Sequence, residues 1–188
     1  MICLNQKNNH LGERSVFLKN VPLTPGKSKV LSLIAIALLV GIDQIIKYFV
    51  DLYLRPIGST LVIPGVLQLS YYENDGAMMG MLSGKIALMT AFAVVCLIAV
   101  CYVLYSGKLG YGIDFWCVVF VTAGGVGNLI DRVFRGYVVD YIEVLFVDFY
   151  IFNFADCLVT CAAIVIIISQ LYQLIRDSKK NKEEAIND

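Results

Sequence analysis

The stretch KVLSLIAIALLVGIDQIIKYFV, residues 29–50, decides the fold class. As a helix rising about 1.5 Å per residue it is long enough to cross the roughly 30 Å of hydrocarbon in a bilayer. Beyond Lys29 its only charges are Asp43 and Lys47, both in its second half. Three further runs have comparable length and character, at 84–106, 113–134 and 154–175. The composition agrees, because 59% of the 188 residues are hydrophobic and 16% charged, proportions that a soluble domain does not show. The reading is therefore a membrane all-α bundle of four transmembrane helices. Gly124, Gly125 and Gly127 in the third run would weaken a helix in water. In a bilayer, small residues let neighbouring backbones approach closely, so they suit a packed bundle.

Lys and Arg near the span ends set the orientation. The segment before the first span carries Lys7, Arg14, Lys19 and Lys27, the connection between spans two and three carries Lys108, and the tail carries Arg176, Lys179, Lys180 and Lys182. Both termini are therefore expected in the cytoplasm. The chain divides into a cytoplasmic N-terminal extension (1–28), a four-span domain (29–175) and a polar cytoplasmic tail (176–188), whose segment KKNKEEAIND (179–188) is expected to be frayed or disordered. The connection after span one then lies outside. There LVIPGVLQLSYYE, residues 61–73, is β-branched and aromatic around a Pro64-Gly65 turn signal, which predicts a small extracytoplasmic β-sheet within a segment of about 55–80. The last connection, which includes YVVDYIEVLFVDFYIF at 137–152, also alternates, and its aromatic rings suit the headgroup region.

Several classes of function find no support. Fifteen basic residues balance fifteen acidic ones, so no basic field recommends nucleic acid as a partner. Cys96, Cys101, Cys117, Cys157 and Cys161 lie in apolar segments without CxxC spacing, and His10 is the single histidine, so no metal site is expected. No GxSxG elbow, P-loop or dinucleotide fingerprint occurs, and no cofactor is expected.

What remains is a small set of polar groups in or beside the spans. A charge in hydrocarbon costs roughly 2.5 kcal/mol or more on insertion scales, so each is a functional candidate. Asp43 and Lys47 are one helical turn apart and placed to pair. Asn128, Asp131 and Arg132 share the end of span three. A carboxylate beside a guanidinium is expected to be ionised and held by it, so this trio reads as a self-neutralising structural group. Asp140 has no basic residue within four positions and lies beyond a turn marked by Gly136. Asp156 opens span four, three residues after Asn153. Helix capping is the plain account of Asp156. Yet span three ends and span four begins on the same side, so Asp140 and Asp156 can meet at one depth. Two carboxylates in a partly apolar site cannot both ionise cheaply, so one keeps a proton. Such a pair can act as base and acid on a water and a scissile carbonyl. The alternative is an ion- or proton-coupled small membrane transporter using the same carboxylates, whose polar groups should recur through the depth of the membrane.

Four blocks of this sequence, in order, resemble those of the bacterial lipoprotein signal peptidases, the signal peptidase II family. They are DQIIK at 43–47, VIPGVLQLSYYENDGAMMG at 62–80, GGVGNLIDR at 124–132 with GYVVDYI at 136–142, and FNFAD at 152–156. The resemblance covers roughly residues 30–175. It implies an aspartyl endopeptidase of the bacterial inner membrane that cleaves a prolipoprotein just before a cysteine carrying a diacylglyceryl group. Its site would lie at the outer leaflet, in contact with membrane lipid, in a protein acting as a monomer. By motif, the catalytic pair falls on Asp140 and Asp156. Supporting positions fall on Asp43, Lys47, Asn74, Gly76, Asn128, Asp131, Arg132, Asn153 and Ala155. One departure is GAMMG, where Met78 and Met79 replace a small residue and an aromatic. Methionine is apolar and adaptable, so substrate contact could survive the change.

Overall fold

The computed structural model describes residues 25–76, 86–106, 109 and 112–187. The expectations placed on Met78, Met79 and residues 1–24 lie outside the described residues. Four helices form a bundle: α1 (Pro25–Phe49), α2 (Ile86–Tyr105), α3 (Ile113–Phe134) and α4 (Phe154–Asn187). Four helical segments are long and apolar enough to cross a membrane: Ser28–Leu54, which runs past the end of α1, Ile86–Tyr105, Ile113–Phe134 and Phe154–Lys179. The third helix is the hub and packs against the other three. Its glycines make that possible. A Cβ on Gly124 would collide with the Ala155 carbonyl oxygen of α4, and one on Gly127 would lie 2.6 Å from Asp43 Oδ2 of α1. The second helix exposes Phe92, Val95 and Ile98 and is apolar both on this outer side and where it meets α3, as suits a helix between lipid and the bundle.

At one end of the bundle the helices give way to a sheet. The first helix continues past Phe49 as a π-helical turn, Val50–Leu54, with the Arg55 N–H donating to the Val50 carbonyl at 3.0 Å. Two strands follow, β1 (Ser59–Ile63) and β2 (Leu67–Asn74), joined through Pro64 and Gly65, whose φ of +71° is a conformation glycine adopts without strain. A third strand, β3 (Val138–Val144), comes from the connection between α3 and α4 and pairs antiparallel with β2, giving the order β1-β2-β3. The hairpin was expected from its alternation. The recruitment of the second alternating segment to the same sheet is a pairing between residues 64 to 77 positions apart, which local pattern does not specify.

Side chains in a strand alternate between faces, and β3 uses both. Val139 and Tyr141 pack with Val50 and Leu54 of the π-helical turn, so one face of β3 closes on the end of α1. Asp140, lying between them in sequence, is directed the other way. The tail departs from expectation: α4 continues through KKNKEEAIND as far as Asn187. The segment KKNKEEA at 179–185 is built of good helix formers, which accounts for the continuation.

Candidate active site

Asp140 is buried in the middle of β3, opposite Tyr72 of β2. Its two oxygens accept from two amides: Asn153 Nδ2 donates to Oδ1 at 2.6 Å, and Asn74 Nδ2 donates to Oδ2 at 2.8 Å. Asn74 is itself oriented by Gly76, whose backbone N–H donates to Asn74 Oδ1 at 3.1 Å. Burial pushes the Asp140 carboxyl up to about 7, and the nearby negative charge of Asp156 pushes in the same direction. The Asn74 and Asn153 hydrogen bonds and the Lys47 charge pull the other way.

Asp156 lies in the first turn of α4. Asn128 Nδ2 donates to its Oδ1 at 2.8 Å, and the Asn153 backbone N–H donates to its Oδ2 at 3.2 Å. The Asp156 N–H in turn donates to Asn153 Oδ1 at 3.0 Å, so Asn153 and Asp156 cap the helix reciprocally. The capping account of Asp156 therefore holds for one of its oxygens and leaves the other on Asn128. Asn153 touches both carboxylates and joins them into one network. Both carboxylates line a cavity of about 650 Å³, together with Asn74, Gly76 and Arg132. Apolar side chains of α2, among them Met89 and Leu97, form the facing wall.

Behind the pair is a buried charge cluster. Lys47 Nζ lies 2.9 Å from Asp43 Oδ2, 2.8 Å from Asp131 Oδ2 and 3.0 Å from Asn128 Oδ1. The expected Asp43–Lys47 pair is present, but it is part of a larger set. Asp43 Oδ1 also accepts from the Ala155 N–H at 3.2 Å, which ties α1 to the start of α4. Asp131 accepts from the Val139 N–H at 3.3 Å and so holds β3 against α3.

The self-neutralising trio is corrected. Asp131 pairs with Lys47 and, at 3.4 Å, with Nε of Arg135, the residue that caps the C-terminus of α3, and not with Arg132. Arg132 instead donates to the Asn128 carbonyl at 3.4 Å and lines the cavity, with its Nε buried and without a hydrogen-bond partner among the described residues. Asn128 belongs with Asp156 rather than with Asp131. Two contributors were missed. Gln44 Nε2 donates to Asp43 Oδ2 at 3.1 Å and to the Gly127 carbonyl at 3.2 Å. Arg135 pairs with Asp131 and also with Asp51 of the π-helical turn. The spacing of four residues between Asp131 and Arg135 was the available signal.

A family profile described as signal peptidase (SPase) II matches residues 35–172. The chain belongs to the signal peptidase II family. It is an aspartic-type peptidase by that membership. Among its relatives, a lipoprotein signal peptidase of Enterococcus faecalis is 37% identical over 150 residues, covering 78% of this chain and 89% of that protein. One of Lactiplantibacillus plantarum is 38% identical over 141 residues, covering 74% and 93%. A solved bacterial membrane enzyme, determined by the in meso method, superposes with a TM-score of 0.69 at 35% identity, covering 77% of this chain and 89% of its own. The matched span contains all four sequence blocks that make up the site.

Proposed function

We propose that Asp140 and Asp156 are the catalytic pair of an intramembrane aspartyl endopeptidase. It removes the signal peptide of a diacylglyceryl-modified prolipoprotein just before the lipidated cysteine. The observation that carries this reading is the placement of two carboxylates on the wall of one largely apolar cavity, joined through Asn153. The ionised member accepts a proton from a water whose oxygen bonds to the scissile carbonyl carbon, while the protonated member gives its proton to the carbonyl oxygen. Collapse of the tetrahedral intermediate breaks the C–N bond, with a proton passing to the departing amine of the cysteine. The products are a signal peptide with a new carboxylate and a lipoprotein with a free N-terminal cysteine. Arg132 lines the cavity, where its guanidinium is placed to hold a substrate carbonyl.

An apolar signal helix and two acyl chains are most readily delivered sideways from the bilayer. The four-span unit of about residues 29–175 therefore works with both termini in the cytoplasm, its sheet and site at the outer leaflet of the inner membrane. Both carboxylates come from one chain, so a monomer suffices. A transporter is less well supported, because Asp43, Lys47, Asp131 and Asp140 crowd one end of the bundle rather than follow its depth. The test uses the purified full chain in bicelles with a diacylglyceryl-modified prolipoprotein and identifies the products by mass spectrometry. A single cut before the lipidated cysteine is expected. An uncut substrate, or a cut elsewhere, contradicts the proposal.

A further inference from the structure

The ion pairs of Lys47 account for only two of its three ammonium protons, directed at Asp43 and Asp131. The third is aimed at Asn128 Oδ1, 3.0 Å away. An amide facing an ammonium must present its oxygen, since the reversed orientation would oppose two donors. The same Oδ1 accepts from Asn153 Nδ2 at 3.1 Å, so two donors fix one orientation. Asn128 Nδ2 is thereby turned to Asp156 Oδ1, at 2.8 Å.

We propose that Lys47 is a positioning residue for the catalytic pair, acting through Asn128: it locks the amide so that Asn128 donates to Asp156. This rests on the reading of Asp140 and Asp156 as that pair. Lys47 touches neither carboxylate, and a purely structural lysine would need no contact beyond its two aspartates. The charged groups around the relay are Asp43 on α1, Asp131, Arg132 and Arg135 from α3 and its end, Asp140 on β3 and Asp156 on α4. Among them the Lys47 charge lowers the pKa of Asp140, against the larger effects of burial and Asp156. Loss of Lys47 should therefore move the alkaline limb of activity upward.

The test measures kcat, KM and their pH dependence for the full chain in bicelles, with a diacylglyceryl-modified prolipoprotein as substrate. In the charge-balanced variant Lys47→Met with Asp43→Asn, the new amide oxygen can still accept from Ala155. Its kcat should fall about 30-fold or more with KM within about threefold, and its alkaline limb should rise. A kcat within about threefold of wild type with an unmoved limb overturns the proposal. Should that variant fail to insert, Asn128→Asp decides: it keeps an acceptor for Lys47, removes the donor to Asp156 and sets a carboxylate oxygen in its place. It should show the same loss in kcat, and near-normal kcat would overturn the relay. Asp140→Asn in the same assay separates the two readings. Its inactivity leaves the pair standing whatever Lys47 does, whereas its substantial cleavage overturns the pair itself.

Discussion

Replacing Gly127 with alanine places a Cβ 2.6 Å from Asp43 Oδ2 and 3.2 Å from Asp43 Cγ. The carboxylate would have to retreat by roughly 0.8 Å to reach an ordinary van der Waals contact. It is poorly able to do so. Its Oδ2 is held by Lys47 at 2.9 Å and Gln44 at 3.1 Å, and its Oδ1 by the Ala155 N–H at 3.2 Å. A retreat of that size lengthens the Ala155 bond beyond hydrogen-bonding range and frees the first turn of α4, which carries Asp156. Overpacking of this kind costs about 1–3 kcal/mol, which outweighs the ~1 kcal/mol that alanine gains over glycine in a helix. Because a misplacement approaching 1 Å at a reacting group costs on the order of 10- to 100-fold in rate, kcat should fall by at least about tenfold. The neighbouring Gly125→Ala is the control. Its Cβ would meet Leu97 Cδ2 at 2.8 Å, nearly as close, but that atom is the end of a flexible side chain. Thermal unfolding in detergent should separate the two variants clearly, and cleavage of a lipidated prolipoprotein compares Gly127→Ala with the wild type. Equal shifts of midpoint from both, or a Gly127→Ala enzyme with wild-type midpoint and kcat, would refute the argument that Asp43 anchors α4.

Further outcomes follow from the same geometry. Asp131→Asn leaves Lys47 and the Val139 N–H with a neutral acceptor in a fully buried site, so stability should fall by about 3 kcal/mol, read as a lower thermal midpoint. Activity per folded molecule should suffer no more than stability does, and the reverse pattern would contradict a holding role. The Asp140 carboxyl keeps its proton up to about 7, so kcat/KM should decline above that pH as the pair loses its shared proton. The fold follows the same sign. The folded chain binds this proton more tightly than the unfolded chain, so the contribution of Asp140 to stability is full below about pH 4 and is lost as pH rises through about 7. A profile flat from pH 6 to 9 would contradict both statements.

The spans were legible because hydrocarbon thickness fixes how long an apolar run must be, and 113–134 coincides with α3 to the residue. The hairpin around Pro64 and Gly65 was legible from alternation and turn chemistry. Asp140 and Asp156 could be singled out because one lacked a local basic partner and both flank a connection on the same side. What the sequence could not show is who pairs with whom across helices. Asp131 has Arg132 as its chain neighbour, yet successive helical residues diverge by about 100°. The guanidinium that shares its face is therefore Arg135, and the ammonium that reaches it, Lys47, is 84 positions away. The same limitation hid the role of Asn128, which looked like part of a structural trio and instead bridges Lys47 to Asp156. Glycines at 124 and 127 were read correctly as sites of close approach, but the groups approached, a carbonyl of α4 and a carboxylate of α1, belong to the tertiary structure alone.

Single-turnover cleavage of a diacylglyceryl-modified prolipoprotein by Asp140→Asn and Asp156→Asn tests the central claim most directly. Each variant should be inserted and folded, read as a cooperative thermal transition, although each amide nitrogen faces a donor that the carboxylate oxygen accepted from. Each should leave the precursor uncut, while the wild type completes the reaction. Substantial cleavage by either correctly folded variant would contradict the account.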